Sequence, residues 1–159
     1  MAIARQAVPC FYEDFEVGQK FDTLGRTITE GDLMQFAGMT GDNAALHTDE
    51  AYSSASVYGG RLVHGMLTVS IAMGLIGRTL VFEGTGVAIL SIDKISFLRP
   101  VRIGDTIRAR FAITSLRPTK KSDRGVVVRE VSVFNQNEEA VAEFSVTGLV
   151  LSRDAKGIS

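Results

Sequence analysis

The stretch from His64 to Leu80 constrains the fold more than any other part of the chain. Met66, Leu67, Val69, Ile71, Met73, Leu75, Ile76 and Leu80 cover every face of a helical wheel, and a helix apolar all round belongs in a core, wrapped by other elements. The uncharged run that contains it, Leu62 to Gly77, is shorter than the ~20 apolar residues of a membrane span and is interrupted by His64, Gly and Ser. The wrapping is legible downstream. Ile107, Ala109, Phe111 and Ile113 alternate with Thr106, Arg108 and Arg110, the period-2 pattern of a half-buried strand. Val87 to Leu98 is apolar on both faces, and Val126 to Phe134 and Ala140 to Leu151 read as further strands joined by a hairpin at Asn135 to Glu138. A first strand is expected around Lys20 to Ile28. Strands following one another this closely are antiparallel, because parallel neighbours need a long crossover. The expected class is α+β: one curved antiparallel sheet wrapped around one central apolar helix.

At 159 residues, 45% hydrophobic and 22% charged, the chain has the size and mix of one domain over 1–159, with 1–14 as an N-terminal extension and 154–159 as a polar tail. Seventeen Lys and Arg against eighteen Asp and Glu leave a net charge of -1, which excludes a broad nucleic-acid or anionic-membrane footprint. The single cysteine, Cys10, cannot form an intrachain disulfide, and no Cys/His cluster has zinc-ligand spacing. No metal is therefore expected. The first ten residues carry no apolar run of signal-peptide length, so a cytoplasmic protein is the expectation.

Thr29 and Asp32 read as a capping box opening a helix over Thr29 to Gly38. From Gly41 to Arg61 periodicity fails, apart from a helical turn around Asp49 to Ser54, and a long irregular loop inside a domain is a candidate for function. The only two histidines, His47 and His64, flank it. Histidine shuttles protons near neutral pH, and a carboxylate within reach orients it. Asp42 is five residues before His47. Gly65 falls where the buried helix starts, so its N–H lacks an intrahelical partner and points along the positive end of the helix dipole. That donor suits a developing oxyanion, although by itself the glycine is better explained by tight helix-to-sheet packing. His64 reads as a cap or a cross-loop hydrogen bond.

Three motifs in order, Gly41-Asp42-x-x-x-Leu46-His47, then Val63-His64-Gly65-Met66-Leu67, then Ile95-Ser96-Phe97-Leu98-Arg99-Pro100-Val101-x-x-Gly104-Asp105, resemble the MaoC-like dehydratase family, the hotdog-fold group that includes the (R)-specific enoyl-CoA hydratases. The resemblance runs from about Phe15 to Leu151. It implies a hotdog fold, Asp42 and His47 as the catalytic pair that adds water to a trans-2-enoyl thioester, and the Gly65 N–H as the oxyanion hole. The product implied is an (R)-3-hydroxyacyl thioester, with the reverse dehydration also catalysed and no cofactor beyond the coenzyme A of an acyl-CoA substrate. An acyl-carrier-protein substrate and a homodimer or higher homo-oligomer are implied as partners. Two positions depart from the family pattern. Ala44 and Ala45 replace the usual Asn-Pro, and Met73 stands where a serine is common, with Ser70 one turn earlier. Two alternatives stay open: a hotdog thioesterase, and a degenerate module that binds acyl thioesters without turning them over. Arg99, Arg102, Lys120, Lys121 and Arg124 are available for phosphates, and Tyr52, Tyr58 and Met66 for an acyl pocket, without assignment.

Overall fold

Thr29 begins the first helix as the capping box requires. Its hydroxyl accepts from the Asp32 N–H, and the Asp32 carboxylate accepts from the Thr29 N–H at 2.9 Å. Two of the donors orphaned at a helix start are thereby satisfied, worth about 1 kcal/mol for the cap itself. The same bonds, led by the one from the Thr29 N–H, hold the Asp32 carboxyl below its usual range. The computed structural model describes residues 9–155, so parts of the expected 1–14 extension and 154–159 tail fall outside the described residues.

Helix α1 spans Glu30–Thr40, α2 Ala45–Thr48, α3 Glu50–Ser54 and α4 Gly65–Gly77. The strands are β1 Lys20–Asp22, β2 Arg26–Thr27, β3 Gly86–Phe97, β4 Thr106–Pro118, β5 Arg124–Phe134 and β6 Ala140–Leu151. They pair antiparallel in the order β1-β4-β5-β6-β3, with β2 also on β4. The expected first strand is thus two short ones, parted at Gly25, where a Cβ would stand 3.1 Å from Thr106 Cγ2. In β4, Ile107, Ala109, Phe111 and Ile113 are buried, while Arg108 and Arg110 turn to the other face and pair with Asp22. The alternation is obeyed because one face meets the core and the other meets water.

Helix α4 buries Leu67, Val69, Ile71, Ala72, Leu75 and Ile76 against the sheet. Its wrapping is incomplete. Met66, Ser70, Gly74 and Gly77 form one uncovered stripe, and the helix stops at Gly77 because Thr79 and Leu80 fold back onto the Ile76 and Gly77 carbonyls with Leu80 at φ 62°. Within the segment expected to be irregular, the turn expected around Asp49 to Ser54 is α3, capped by Asp49, and one further short helix, α2, precedes it. A four-residue helix is barely one turn, too short for hydrophobic period to reveal. Strand β3, apolar on both faces, lies at the sheet edge with Ile89, Leu90 and Phe97 more than half exposed. No helix among the described residues is long and apolar enough to cross a membrane.

Candidate active site

Gly41 closes α1 in the left-handed region at φ 77°, its N–H donating to the Ala37 carbonyl at 2.9 Å. A residue with a Cβ is strained there. The turn releases the chain so that Asp42 leaves the helix axis with its side chain about half exposed. Five residues on, α2 presents His47. Its Nδ1 lies 2.7 Å from the Leu62 carbonyl oxygen. A carbonyl only accepts, so Nδ1 carries the hydrogen and Nε2 keeps its lone pair.

Leu62 is itself tied down. Its N–H donates to the Leu46 carbonyl at 3.1 Å, and the next residue, Val63, donates to Val101 at 2.8 Å. The fully buried Ser53 supports the same turn from α3, its hydroxyl 3.1 and 3.0 Å from the Ala45 and Leu46 carbonyl oxygens. Arg61 bridges Glu30 at 2.7 Å and Glu50 at 2.9 Å, joining α1 to α3. Hydrogen bonds from Ser54, then Arg61, hold the Glu50 carboxyl below its usual range.

His64 is buried at 2% exposure. Its Nε2 donates to the Asp42 carbonyl oxygen at 2.9 Å and lies 3.9 Å from Asp42 Oδ2. Of the two readings open in the sequence, the cross-loop bond is the one formed; the side chain does not cap α4. The His64 ring also stacks on His47, with centroids 3.8 Å apart and planes 26° from parallel, and the Phe36 ring lies tilted against it with centroids 5.1 Å apart. One buried imidazole therefore fixes both the Asp42 backbone and the His47 ring. Neither link has a sequence signature, since one acceptor is a main-chain carbonyl and the other contact is a ring face.

The structure brings Asp42, His47 and His64 together, with one nitrogen or carboxylate oxygen of each within 4.8 Å of the others. In this cluster the Asp42 carboxylate and His47 Nε2 are uncommitted, and His64 Nδ1 is buried with no hydrogen-bond partner among the described residues. The start of α4 follows directly on His64. Gly65 is its first residue, no side chain caps it, and the Phe97 ring packs so closely that a Cβ on Gly65 would stand 2.6 Å from two ring carbons. A Cβ here would force that ring to shift.

These groups line a cavity of about 670 Å³, walled by Phe36, Val63, Phe97, Leu98 and Val101 among others. Of the residues left unassigned, Tyr58, Met66 and Arg99 reach it; Tyr52, Arg102, Lys120, Lys121 and Arg124 do not. Ser70 does not either, its hydroxyl being bonded to the Met66 carbonyl at 2.7 Å. The α4 hydroxyl that does line the cavity is Thr68. Apolar walls with a few convergent polar groups are the usual make-up of a small-molecule site.

Residues 14–135 match the family model described as the MaoC like domain. The (R)-specific enoyl-CoA hydratase of Rhodospirillum rubrum is 38% identical over 111 residues, covering 70% of this chain and 74% of that one. Among solved structures, a MaoC-like dehydratase from Rhodospirillum rubrum superposes with a TM-score of 0.82 at 27% identity, over 91% of this chain and 98% of that one. A Mycobacterium tuberculosis protein with a double hotdog fold gives a TM-score of 0.82 at 23% identity, over 92% of this chain but 46% of its own. The fold is the hotdog.

Proposed function

The chain belongs to the MaoC-like domain family, and from that premise we propose that it is a hydratase acting on trans-2-enoyl thioesters, giving (R)-3-hydroxyacyl thioesters and catalysing the reverse dehydration. The observation that carries this reading is the His47 tautomer. Nδ1–H is held by the Leu62 carbonyl, which leaves Nε2 to take up a proton, and a ring nitrogen of His47 lies within 4.8 Å of an Asp42 carboxylate oxygen.

Water held between His47 Nε2 and Asp42 attacks C3 of the enoyl group. Its O–H bond breaks as the C3–O bond forms, and the displaced π pair runs toward the thioester oxygen as an enolate. The Gly65 N–H receives that oxygen, a stabilisation that grows as negative charge develops and so acts chiefly in the transition state. Collapse of the enolate takes a proton at C2. One proton is removed from water and one is delivered to C2, so the pair returns to its starting state. The two groups act as one coupled unit. The residues assigned by resemblance, Asp42, His47 and Gly65, are the three this mechanism uses. The R configuration rests on the name of the Rhodospirillum rubrum relative. Wild-type protein should remove the enoyl absorbance of crotonyl-CoA with no thiol released. Free thiol without loss of that absorbance would establish the thioesterase reading instead.

The bare edge of the sheet supports the expected homo-oligomer. Ile89, Leu90 and Phe97 leave an apolar margin on β3, continued by Leu98 just beyond it, and an uncovered apolar edge pairs with another strand. In this reading a second copy covers β3. Leu90→Lys should then weaken self-association about tenfold or more, because pairing would have to bury an ammonium. Sedimentation of both proteins across a concentration range checks this; identical profiles would remove β3 from the interface.

A further inference from the structure

Strand β5 breaks its own pattern once. Val127, Val131 and Val133 point into the core, and Arg129 occupies the same face between them. The residue is 5% exposed. Among the described residues no carboxylate pairs with it and no acceptor meets its Nε. The guanidinium lies over the Phe82 ring, whose centroid is 4.4 Å from Cζ. Loss of hydration pushes the guanidinium down to about 10, so it remains charged at neutral pH. An isolated buried charge is among the costliest features a core can hold, and core positions that break the binary pattern mark functional sites.

The guanidinium borders a second cavity of about 260 Å³, walled by Met73, Ile76, Phe82, Val87 and Leu149 among others and containing no acidic side chain. Glycines at 77, 86 and 148 also line it, leaving space beside the charge. A Cβ on Gly148 would stand 3.6 Å from Arg129 Nη1 and 3.4 Å from the Ala88 carbonyl oxygen. We propose that this cavity is a carboxylate-binding site, in which Arg129 grips the carboxylate of a ligand whose apolar stem lies against Met73, Ile76 and Phe82. The planar fork of a guanidinium matches a carboxylate bidentately. A phosphate, with more charge to neutralise, would want a second cation, and none lines the cavity.

The cavity is distinct from the catalytic one. Gly65, Met66 and Thr68 line the first, and Met73, Ile76 and Gly77 the second, with a helix rise of about 12 Å between Gly65 and Met73. The carboxylate has two possible sources: a free fatty acid, or the far end of an acyl thioester that carries a second carboxylate. Only the latter rests on the hydratase reading.

Thermal unfolding of the full chain tests the site without any assay of activity. Octanoate should raise Tm with concentration, octanol should not, and Arg129→Met should weaken octanoate binding roughly 10- to 100-fold, the worth of a charged hydrogen-bonded pair. The ligand-free variant should melt at or above wild type, because it sheds an unpaired charge. Gly148→Ala is the second variant; it keeps Arg129, narrows the space beside it, and should weaken octanoate binding too. The rates on ω-carboxy and ω-methyl trans-2-enoyl-CoA, over graded chain lengths, separate the sources. A loss of kcat/KM in Arg129→Met confined to the ω-carboxy series assigns the carboxylate to the substrate; equal rates, with the octanoate response lost, assign it to a free acid. The proposal is overturned if octanol matches octanoate, or if Arg129→Met retains both the octanoate response and the ω-carboxy rates. A protein that hydrates nothing yet shows the Arg129-dependent octanoate response would lose the hydratase reading and keep this site.

Discussion

Asp42→Asn and His47→Gln each lower crotonyl-CoA hydration by about 100- to 10,000-fold, the usual worth of a positioned acid or base, while leaving the unfolding transition close to wild type. The structural grounds for separating activity from stability are specific. The Asp42 carboxylate is about half exposed, and its scaffold role is played by its backbone carbonyl, which accepts from His64. Asparagine keeps that carbonyl. Glutamine at 47 retains an amide N–H that can reach the Leu62 oxygen held in the wild type by Nδ1, but it has no nitrogen that takes up a proton at neutral pH. Because the two groups act as a unit, the double variant should lose little more than either single one. Rates from loss of the enoyl absorbance, read beside urea unfolding curves, check both halves. Equal rates in wild type and both variants would remove the pair from the mechanism.

Gly65→Pro is expected to cost about 100- to 1000-fold in kcat relative to Gly65→Ala, the typical price of one oxyanion donor. The comparison works because of where Gly65 sits. It is the first residue of α4, a position where proline is favoured in helices since the N–H there has no intrahelical partner. The preceding His64 has φ -56° and ψ 134°, an extended conformation that a residue before proline accepts. Both variants introduce the Cβ that collides with the Phe97 ring, so that disturbance cancels in the ratio. What remains is the N–H itself. Similar rates for the two variants would show that the α4 start does not receive the thioester oxygen.

Much of the architecture was legible wherever a periodic pattern met a single buried face. The alternation in β4, the hairpin after Phe134 and the Thr29 capping box all appear close to where the sequence placed them. The pairing of Asp42 with His47 was visible only as a spacing plus a resemblance, and what brings the two together was not. The Leu62 and Asp42 carbonyls are main-chain atoms, identical in every residue, so no composition betrays them. His64 looked secondary because its two duties, a hydrogen bond to backbone and a ring face, depend on a chain reversal of more than fifteen residues. Arg129 was missed for the opposite reason: in a strand read by its valines, one cation reads as solvent-facing. The uncovered stripe on α4 escaped too, since apolar residues on every face say nothing about which face lacks a neighbour.

The excursion from Thr48 to Arg61 begins and ends at nearly one point. Leu62 donates to Leu46 and His47 grips Leu62, while Gly60 donates back to Ser53; at its far end Val57 is 96% exposed. Such a stapled base makes the tip a natural place for grafting foreign sequence. Since closure entropy rises only slowly with length, a few residues inserted beside Val57 should leave the melting point and the crotonyl-CoA rate near wild type, whereas the same insertion between His47 and Asp49 should abolish activity. The rim of the cavity can thus be redesigned for new acyl groups while the imidazole stays anchored from behind.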